Sequence, residues 1–310
     1  MGSESALRLP ILDFSSLNQL EPGTPEWVSK TVQVKKALEE YGCFEVVYDE
    51  FHTDIREKMF GAIAEMFNLP VETKSLNQLK EPFHGFKRYE SIPLFESMGI
   101  DDPQIFEEVK AFSKLMWPNE NDIFCNTIHL FAKLLAEFDE KSRRMVLESL
   151  GVDKYSNNHI KSTYYHLRLM KYKAPKVENV EIGLNPHTDK GIMTMVHANQ
   201  IGGLEVQTKD GKWINVNISP NSFVCLIGDS FGAWTNGRLH IPVHRVMMTG
   251  QEVRYSLALL SIPRGGQLVK APQELVDEDH HPLLFKPFDF EEFINSEHTT
   301  RRGLKTYCGV

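Results

Sequence analysis

Hydrophobic and polar positions divide the chain into a helical first half and a β-rich second half. Apolar residues recur at helical spacing over residues 25–41, 55–67 and 123–150, so each segment predicts an amphipathic helix. Short β-rich runs at residues 9–14 and 43–48 predict strands beside these helices. The first half is therefore expected to be mainly helical, with two short strands.

The second half consists of short β-rich segments separated by turn residues. The predicted strands are residues 164–172, 193–197, 204–207, 213–216, 223–227, 243–248 and 253–262. Turn dipeptides separate them, and Asn236-Gly237 predicts a hairpin turn. Strands this short and this closely spaced indicate a sandwich or barrel, with the helical half packed outside it. A further helix is predicted near residues 290–295.

Composition and charge exclude several classes of protein. The chain has 310 residues, 41% of them hydrophobic, and a net charge of −8, so a sizeable core is expected. There is no block of lysine and arginine, which argues against nucleic acid as a partner. The four cysteines are far apart, which argues against a zinc ribbon or a disulfide framework. Neither a secretory signal nor a membrane span is recognisable, so a cytoplasmic monomer without membrane contact is expected.

The leading candidate for chemistry is a pair of histidines with one carboxylate. His187 and Asp189 are two residues apart, so in an extended segment their side chains point the same way. His244 lies 57 positions after His187 (244 − 187), at the head of a predicted strand. Two imidazoles and one carboxylate on one face of an octahedral metal leave three positions open, as in non-haem Fe(II) oxygenases. A His-x-Asp pair alone recurs by chance, and the order and setting of all three residues favour a metal site.

A second candidate lies ten residues further along the chain. Arg254 and Ser256 alternate in a predicted strand among leucines, so the guanidinium should be buried and should need an anion. For an isolated Arg-x-Ser pair, an internal salt bridge is the simpler interpretation. Combined with the histidines and Asp189, a bound carboxylate ligand is the better one, with the Ser256 hydroxyl donating a further hydrogen bond.

These residues belong to a longer pattern that resembles the plant 2-oxoglutarate-dependent dioxygenases. The matching segments are residues 9–14, 41–44, 167–172, 186–191, 202–206, 228–229, 234–238, 243–246 and 254–256. The resemblance spans residue 9 to about residue 290. Within that family the chain resembles most the AOP-like branch, through residues 1–4, 93–99, 170–172 and 307–309, and it shares a weaker similarity with the auxin-oxidising branch.

The resemblance implies a mixed α and β fold with a double-stranded β-helix, or jelly-roll, core and helices packed outside. It implies an enzyme that uses Fe(II), 2-oxoglutarate and O2, with ascorbate as a reductant, to oxidise a small plant hormone or specialised metabolite, most simply by hydroxylation. Succinate and CO2 would be the co-products. The implied iron ligands are His187, Asp189 and His244. The implied contacts to 2-oxoglutarate are Arg254, Ser256 and Tyr172.

One position departs from the family pattern. Tyr172 matches the tyrosine of an Asn-x-Tyr motif, but Met170 stands where the motif has asparagine. The AOP-like branch resembles this sequence there, so we interpret Met170 as a trait of the branch, although it puts a polar contact from this position in doubt. Phe95, Met98 and Phe231 are candidate walls of the substrate pocket by the same resemblance.

The expected organisation is a single catalytic domain over residues 1–310. Residues 1–160 form its mainly helical part, residues 161–265 the jelly-roll core with the iron site, and residues 266–310 a C-terminal extension. Two rival functions remain open: an iron oxidase that does not consume 2-oxoglutarate, and a binding protein on the same fold that has lost catalysis. A small-molecule substrate is expected in either enzymatic case.

Overall fold

The helices lie mainly in the first half of the chain. The structure is a computed structural model that describes residues 7–48, 52–78, 84–176, 180–296 and 303–310. Its helices are α1 (Pro25–Glu40), α2 (Thr53–Asn68), α3 (Val71–Lys74), α4 (Phe106–Met116), α5 (Asp122–Ser149), α6 (Ser156–Lys161), α7 (Asp229–Trp234), α8 (Phe290–Asn295) and α9 (Gly303–Cys308). The four predicted helices are confirmed to within two residues at each end.

Local chemistry explains where the long helices begin. The Thr24 hydroxyl accepts a hydrogen bond from the Trp27 amide, and Pro25 occupies the first turn of α1, where its missing N–H costs nothing. The Asn121 side chain caps α5 in the same way, accepting from the Phe124 amide at 3.0 Å. Within the described parts of the chain, no helix combines the length and the apolar character needed to cross a bilayer.

The strands form two main sheets, and most of them lie in the second half of the chain. They are β1 (Ile11–Asp13), β2 (Cys43–Val47), β3 (Lys87–Tyr89), β4 (Ile92–Asp101), β5 (Thr163–Tyr172), β6 (Glu181–His187), β7 (Met193–Ala198), β8 (Leu204–Gln207), β9 (Trp213–Val216), β10 (Ser222–Ile227), β11 (His244–Met248), β12 (Arg254–Pro263), β13 (Leu268–Val269) and β14 (Phe288–Asp289). The large sheet has the order β1-β2-β10-β7-β12-β5-β4-β3, and the smaller one β6-β11-β8-β9. β13 and β14 pair separately.

Two findings correct the reading of the sequence. Strands β3, β4, β6, β13 and β14 and helices α3, α4, α6, α7 and α9 have no predicted counterpart. Among them, β4 runs beside β5 from Phe95 to Asp101. The predicted hairpin at Asn236-Gly237 is wrong, because these residues follow helix α7. Their φ angles are 49° and 73°, and the Gly237 amide donates to the Gly232 carbonyl, so the glycine ends a helix.

Helix α5 covers the outer face of the large sheet. The ring of Phe138 meets Phe14, Phe44 and Phe223 edge-on, with ring centres 5.1, 6.3 and 4.9 Å away. These aromatic contacts fix the sheet against the helical layer. A second apolar cluster lies between the two sheets, and its open part is the cavity described below.

His197, on β7, makes the stability of the fold depend on pH. It is 1% exposed, and burial lowers its pKa to about 4 because a charged imidazolium would be poorly solvated there. Its Nδ1 donates to the Ser222 carbonyl, and its ring lies beside Phe60 and Phe131. The pKa of His197 in the folded protein lies below its ordinary value of 6.5, so the folded state binds fewer protons than the unfolded state. The contribution of neutral His197 to the free energy of unfolding is therefore complete above pH 6.5 and is lost as the pH falls towards 4.

When the pH is lowered from 7.5 to 5, we expect the burial of His197 alone to decrease the free energy of unfolding by about 2 kcal/mol. Urea unfolding at the two pH values measures this loss, and the His197→Gln variant should lose correspondingly less. His280, whose side chain is 83% exposed, provides the control, since His280→Gln should leave the pH dependence as in the wild type. An equal loss in His197→Gln and the wild type would contradict the assignment.

Candidate active site

The two candidate histidines lie directly opposite each other on neighbouring strands. β6 ends at His187, β11 begins at His244, and the antiparallel register pairs these two residues. Asp189 follows two residues beyond the end of β6. The three positions predicted from the sequence are therefore brought to one edge of the smaller sheet.

Their ligand atoms converge on one point. The Nε2 atoms of His187 and His244 lie 3.7 and 3.8 Å from Oδ1 of Asp189. The two imidazole rings are 4.2 Å apart, centre to centre. One ligand atom from each residue can be chosen so that all three lie within 4.8 Å of one another, which is a spacing that one metal ion can bridge.

Each imidazole is oriented by the backbone of its own segment. Nδ1 of His187 lies 2.8 Å from the Asn185 carbonyl, and Nδ1 of His244 lies 3.5 Å from the Pro242 carbonyl. A carbonyl can only accept, so Nδ1 carries a proton in each ring and Nε2, on the side of Asp189, is the nitrogen left to bind a metal. This is the tautomer that a metal-binding histidine needs.

The carboxylate of Asp189 lacks a full set of partners within the described protein. Its Oδ2 is buried and accepts no hydrogen bond from the residues that the structure describes. Burial would raise the pKa of Asp189, but His244 and His187 outweigh it and hold the pKa below its ordinary value. Burial and the neighbouring His244 lower the pKa of His187 to about 4. A carboxylate beside two imidazoles whose Nε2 atoms face it fits a divalent cation such as Fe(II).

The loop that carries Asp189 is held by the start of helix α7. The Asp229 amide donates to the Asp189 carbonyl at 2.7 Å, and the Ser230 hydroxyl donates to the Lys190 carbonyl at 2.7 Å. The Lys190 ammonium in turn pairs with the Asp229 carboxylate at 2.8 Å. Gly228, just before this turn, allows the close approach, because a Cβ there would meet the Gly191 carbonyl oxygen at 2.2 Å.

Gly228→Ala is accordingly expected to push the Asp189 loop away from α7. The backbone oxygen cannot rotate aside, so we expect a loss of about 1–3 kcal/mol in the free energy of unfolding, together with weaker Fe(II) binding. Urea unfolding and a metal titration measure the two effects. Gly61→Ala, in helix α2 with nothing within 4 Å of the added methyl, should be neutral or slightly stabilising. Normal Fe(II) affinity in Gly228→Ala would show that the loop position does not matter.

Arg254 and Ser256 lie on β12, deep in the space between the sheets. Arg254 is 2% exposed, its Nη1 donates to the Ser256 hydroxyl at 3.0 Å, and its guanidinium lies 5.1 Å from the ring centre of Tyr172. In the described ranges, no Asp or Glu oxygen comes within 4.0 Å of its nitrogens, and its Nε has no hydrogen-bond partner. The internal salt bridge considered for this arginine is therefore absent from these residues, and an anion from outside the chain can complete the site.

The departure from the family motif fits this arrangement. The Tyr172 hydroxyl donates to the sulfur of Met170 at 3.4 Å, so the methionine accepts a weak hydrogen bond at the motif's asparagine position. Burial raises the pKa of Tyr172, which keeps its hydroxyl protonated and able to donate.

One cavity joins both groups of residues. It has a volume of about 80 Å³ and is lined by residues of both sheets, among them all three candidate ligands, Arg254, Ser256 and Tyr172. Of the three suggested pocket walls, Phe95 lines this cavity, whereas Met98 and Phe231 lie in the core cluster between helices and sheet. The cavity also contains Arg168 and Thr194, which reasoning from the sequence did not single out. Arg168 could have been predicted to lie on the same face of its strand as Met170 and Tyr172, because the three positions are two residues apart.

A second histidine and carboxylate cluster joins His84, which precedes β3, to Asp101 at the end of β4 and His166 on β5. The Nδ1 atoms of His166 and His84 lie 2.7 and 3.0 Å from the same oxygen, Oδ1 of Asp101. The two rings are stacked, with centres 3.7 Å apart and planes 21° from parallel. A single ion cannot lie in both of these ring planes, so we interpret the cluster as a hydrogen bond between His166 and Asp101 with the His84 ring stacked beside it. Burial lowers the pKa of His166 to about 3, which keeps its ring neutral.

Comparison with known protein families agrees with this geometry. The 2OG-Fe(II) oxygenase superfamily profile matches residues 157–263, and the profile of the N-terminal region of non-haem dioxygenases in morphine synthesis matches residues 9–97. The probable 2-oxoglutarate-dependent dioxygenase AOP1.2 of Arabidopsis thaliana is 45% identical over 94% of this chain and 91% of its own length. The Arabidopsis thaliana 2-oxoglutarate-dependent dioxygenase AOP3 is 33% identical over 100% of this chain and 99% of its own length.

Solved structures show the same architecture. The dioxygenase for auxin oxidation from rice superposes with a TM-score of 0.78 at 27% identity, covering 92% of this chain and 93% of its own. JOX2, solved with 2OG, Fe and JA, superposes with a TM-score of 0.79 at 22% identity, covering 99% of this chain and 90% of its own, and is similar in fold. The predicted jelly-roll fold and the predicted family are confirmed. The chain belongs to the superfamily of 2-oxoglutarate- and Fe(II)-dependent oxygenases.

Proposed function

We propose that this dioxygenase uses O2 to oxidise a small plant hormone or specialised metabolite, most simply by hydroxylation, with ascorbate as a reductant. The proposed ligands to Fe(II) are His187, Asp189 and His244. The proposed contacts to 2-oxoglutarate are Arg254, Ser256 and Tyr172. The named relatives support the substrate class, since one is a dioxygenase for auxin oxidation.

The observation that carries the proposal is the buried Arg254 beside the histidine and carboxylate cluster. A guanidinium that is 2% exposed, with no carboxylate partner among the described residues, is stable only if an anion reaches it. The distal carboxylate of 2-oxoglutarate would supply that anion, and Ser256 would add a hydroxyl donor. The keto acid end of the same molecule would then face Asp189 and the two histidines.

The residues of the chain have distinct tasks in this arrangement. His187 and His244 present their Nε2 atoms towards Asp189, Asp189 presents a carboxylate, and Arg254 with Tyr172 fixes the far end of the co-substrate. Bound Fe(II) would supply activation of O2, coupled to the decarboxylation of 2-oxoglutarate to succinate and CO2. The apolar cavity walls would exclude water and position the substrate.

An anaerobic titration of the purified protein tests this proposal without knowledge of the substrate. Fe(II) is added first and 2-oxoglutarate second, and we expect a visible charge-transfer band only after the second addition. Glutarate is the control, because it has both carboxylates but no keto group and should give no band. Oxygen should then release succinate. If the protein binds the metal but gives no band, an oxidase that does not consume 2-oxoglutarate is favoured. If the protein binds no metal, a binding protein that has lost catalysis is favoured.

The cytoplasmic location, the monomeric state and the division of the single domain at residues 160 and 265 stay predictions.

A further inference from the structure

A buried polar network connects helix α5 to the segment that follows Asp189. Asp139 on α5 and Ser261 on β12 lie at its centre, and both are fully buried. The Ser261 hydroxyl donates to Oδ1 of Asp139 at 3.0 Å. Oδ2 of the same carboxylate accepts from the Tyr165 hydroxyl at 2.9 Å and lies 2.6 Å from Nη2 of Arg143. Both carboxylate oxygens are therefore occupied, and Asp139 is fixed in place.

Ser261 also holds the start of β7. Its hydroxyl oxygen accepts from the Met193 amide at 3.1 Å, and its carbonyl accepts from the Ile192 amide at 2.8 Å. The other acceptor near the Ser261 hydroxyl proton is the Met193 carbonyl, at 3.4 Å, which is more distant than Asp139. A hydroxyl has one proton to donate and lone pairs to accept, so this single group bridges α5 and β7.

The Asp189 loop, residues 188–192 between β6 and β7, is held at both ends. The start of α7 holds its first part, because the Asp229 amide donates to the Asp189 carbonyl. Ser261 holds its last part at close range, since a Cβ on Gly191 would lie 2.6 Å from the Ser261 carbonyl oxygen. So short a loop has little freedom, and a shift at either end moves the Asp189 carboxylate.

We propose that Ser261 is a positioning residue for the iron site, and that Asp139 fixes the Ser261 hydroxyl for this task. This inference rests on the proposed function, which makes Asp189 a ligand to Fe(II). Ser261 does not line the active-site cavity, so it acts through the backbone of the Asp189 loop. It raises the fraction of metal-free protein in which Asp189 already lies beside the two histidines, and the affinity for the metal scales with that fraction.

The test measures Fe(II) binding in Ser261→Ala, which removes the bridging hydroxyl and keeps the backbone bond to Ile192. Because hydrogen bonds on both sides of the hydroxyl are lost, we expect the dissociation constant of Fe(II) to rise about 5- to 30-fold. Anaerobic competition with a chromophoric chelator measures this constant. In the metal-free protein, the Met193 amide should exchange hydrogen for deuterium faster by a similar factor, as followed by NMR.

Tyr165→Phe supplies the matched control. It removes a hydroxyl from the other oxygen of the Asp139 carboxylate, and the partners of that hydroxyl, Asp139 and Ala136, both belong to α5. Tyr165→Phe should lower the midpoint of urea unfolding about as much as Ser261→Ala does. It should leave the Fe(II) dissociation constant and the exchange at Met193 as in the wild type. If both variants weaken Fe(II) binding equally, or if neither does, the role of Ser261 is only structural.

Ser261→Cys tests the same hydroxyl more gently. A thiol is a weak donor and a weak acceptor, so the Fe(II) dissociation constant should lie between those of the wild type and Ser261→Ala. Should Ser261→Ala fail to fold, Ser261→Cys decides, and wild-type affinity in that protein would overturn the inference.

Failure of this inference is distinguishable from failure of the proposed function. The visible band of the wild-type protein with Fe(II) and 2-oxoglutarate reports on the proposed function. A wild-type band together with unchanged Fe(II) affinity in folded Ser261→Ala would overturn the role of Ser261 alone. A wild-type protein that binds no Fe(II) would overturn both.

Discussion

His244→Ala is expected to abolish the visible band that Fe(II) and 2-oxoglutarate give the wild-type protein. The imidazole of His244 lies opposite that of His187, and its Nε2 lies 3.8 Å from Asp189, so its loss leaves two of the three proposed ligands. Loss of groups that merely orient a metal ligand lowers affinity or activity 10- to 100-fold, so loss of the ligand should exceed about 100-fold. Metal titration and succinate release measure both effects.

The exposed His280 again provides the control. His280→Gln should behave as the wild type in both measurements, while circular dichroism shows whether His244→Ala keeps its fold. A folded His244→Ala protein that retained the band would remove His244 from the ligand set.

Arg254→Ala is expected to raise the 2-oxoglutarate concentration needed for half of the band intensity by about 30- to 3,000-fold. Truncating one partner of a buried, hydrogen-bonded charge pair costs about 2–5 kcal/mol, and each 1.4 kcal/mol is a factor of ten. The 2-oxoglutarate concentration that Arg254→Lys needs for half of the band intensity should lie between those of the wild type and Arg254→Ala. The lysine ammonium keeps the charge but lacks the planar fork of the guanidinium. Titration of the anaerobic Fe(II) protein gives the three values.

Unchanged half-saturation in Arg254→Ala would show that another group holds the co-substrate. The buried guanidinium would then bind a different acid, as in the oxidase that does not consume 2-oxoglutarate. Arg264→Gln serves as the control for removal of an arginine charge elsewhere on the protein.

Much of the fold could be predicted because the periodicity of the chain reports directly on burial. Helix α5 is broad and amphipathic, and the strands from Thr163 to Pro263 are short, apolar and separated by turn residues. Strand β6 was not predicted from the sequence. Ile182 and several of its neighbours are not buried, so the segment lacks the run of apolar residues that marks a buried strand. The Asn236-Gly237 turn was misread because a left-handed glycine ends a helix as readily as it closes a hairpin.

The candidate site was predictable to the extent that its residues are close in sequence or alternate in a strand. His187, Asp189, Arg254 and Ser256 meet this condition, and the burial of Arg254 followed from its leucine neighbours. The position of Arg168 beside the same cavity depends on the pairing of β5 with β12, which is a long-range property. The hydrogen bond from the Asp229 amide to the Asp189 carbonyl likewise joins two segments that are far apart in the sequence, so the pattern of apolar residues does not predict it.

The backbone carbonyls of Asn185 and Pro242 have a consequence for how this enzyme can diversify. Each candidate histidine takes its orientation from a carbonyl two residues earlier in its own strand segment, at 2.8 and 3.5 Å. No side chain can be mutated to remove such a contact. The walls of the cavity can therefore exchange one apolar residue for another, and a lineage can acquire new substrates, while the tautomers of both imidazoles are inherited unchanged.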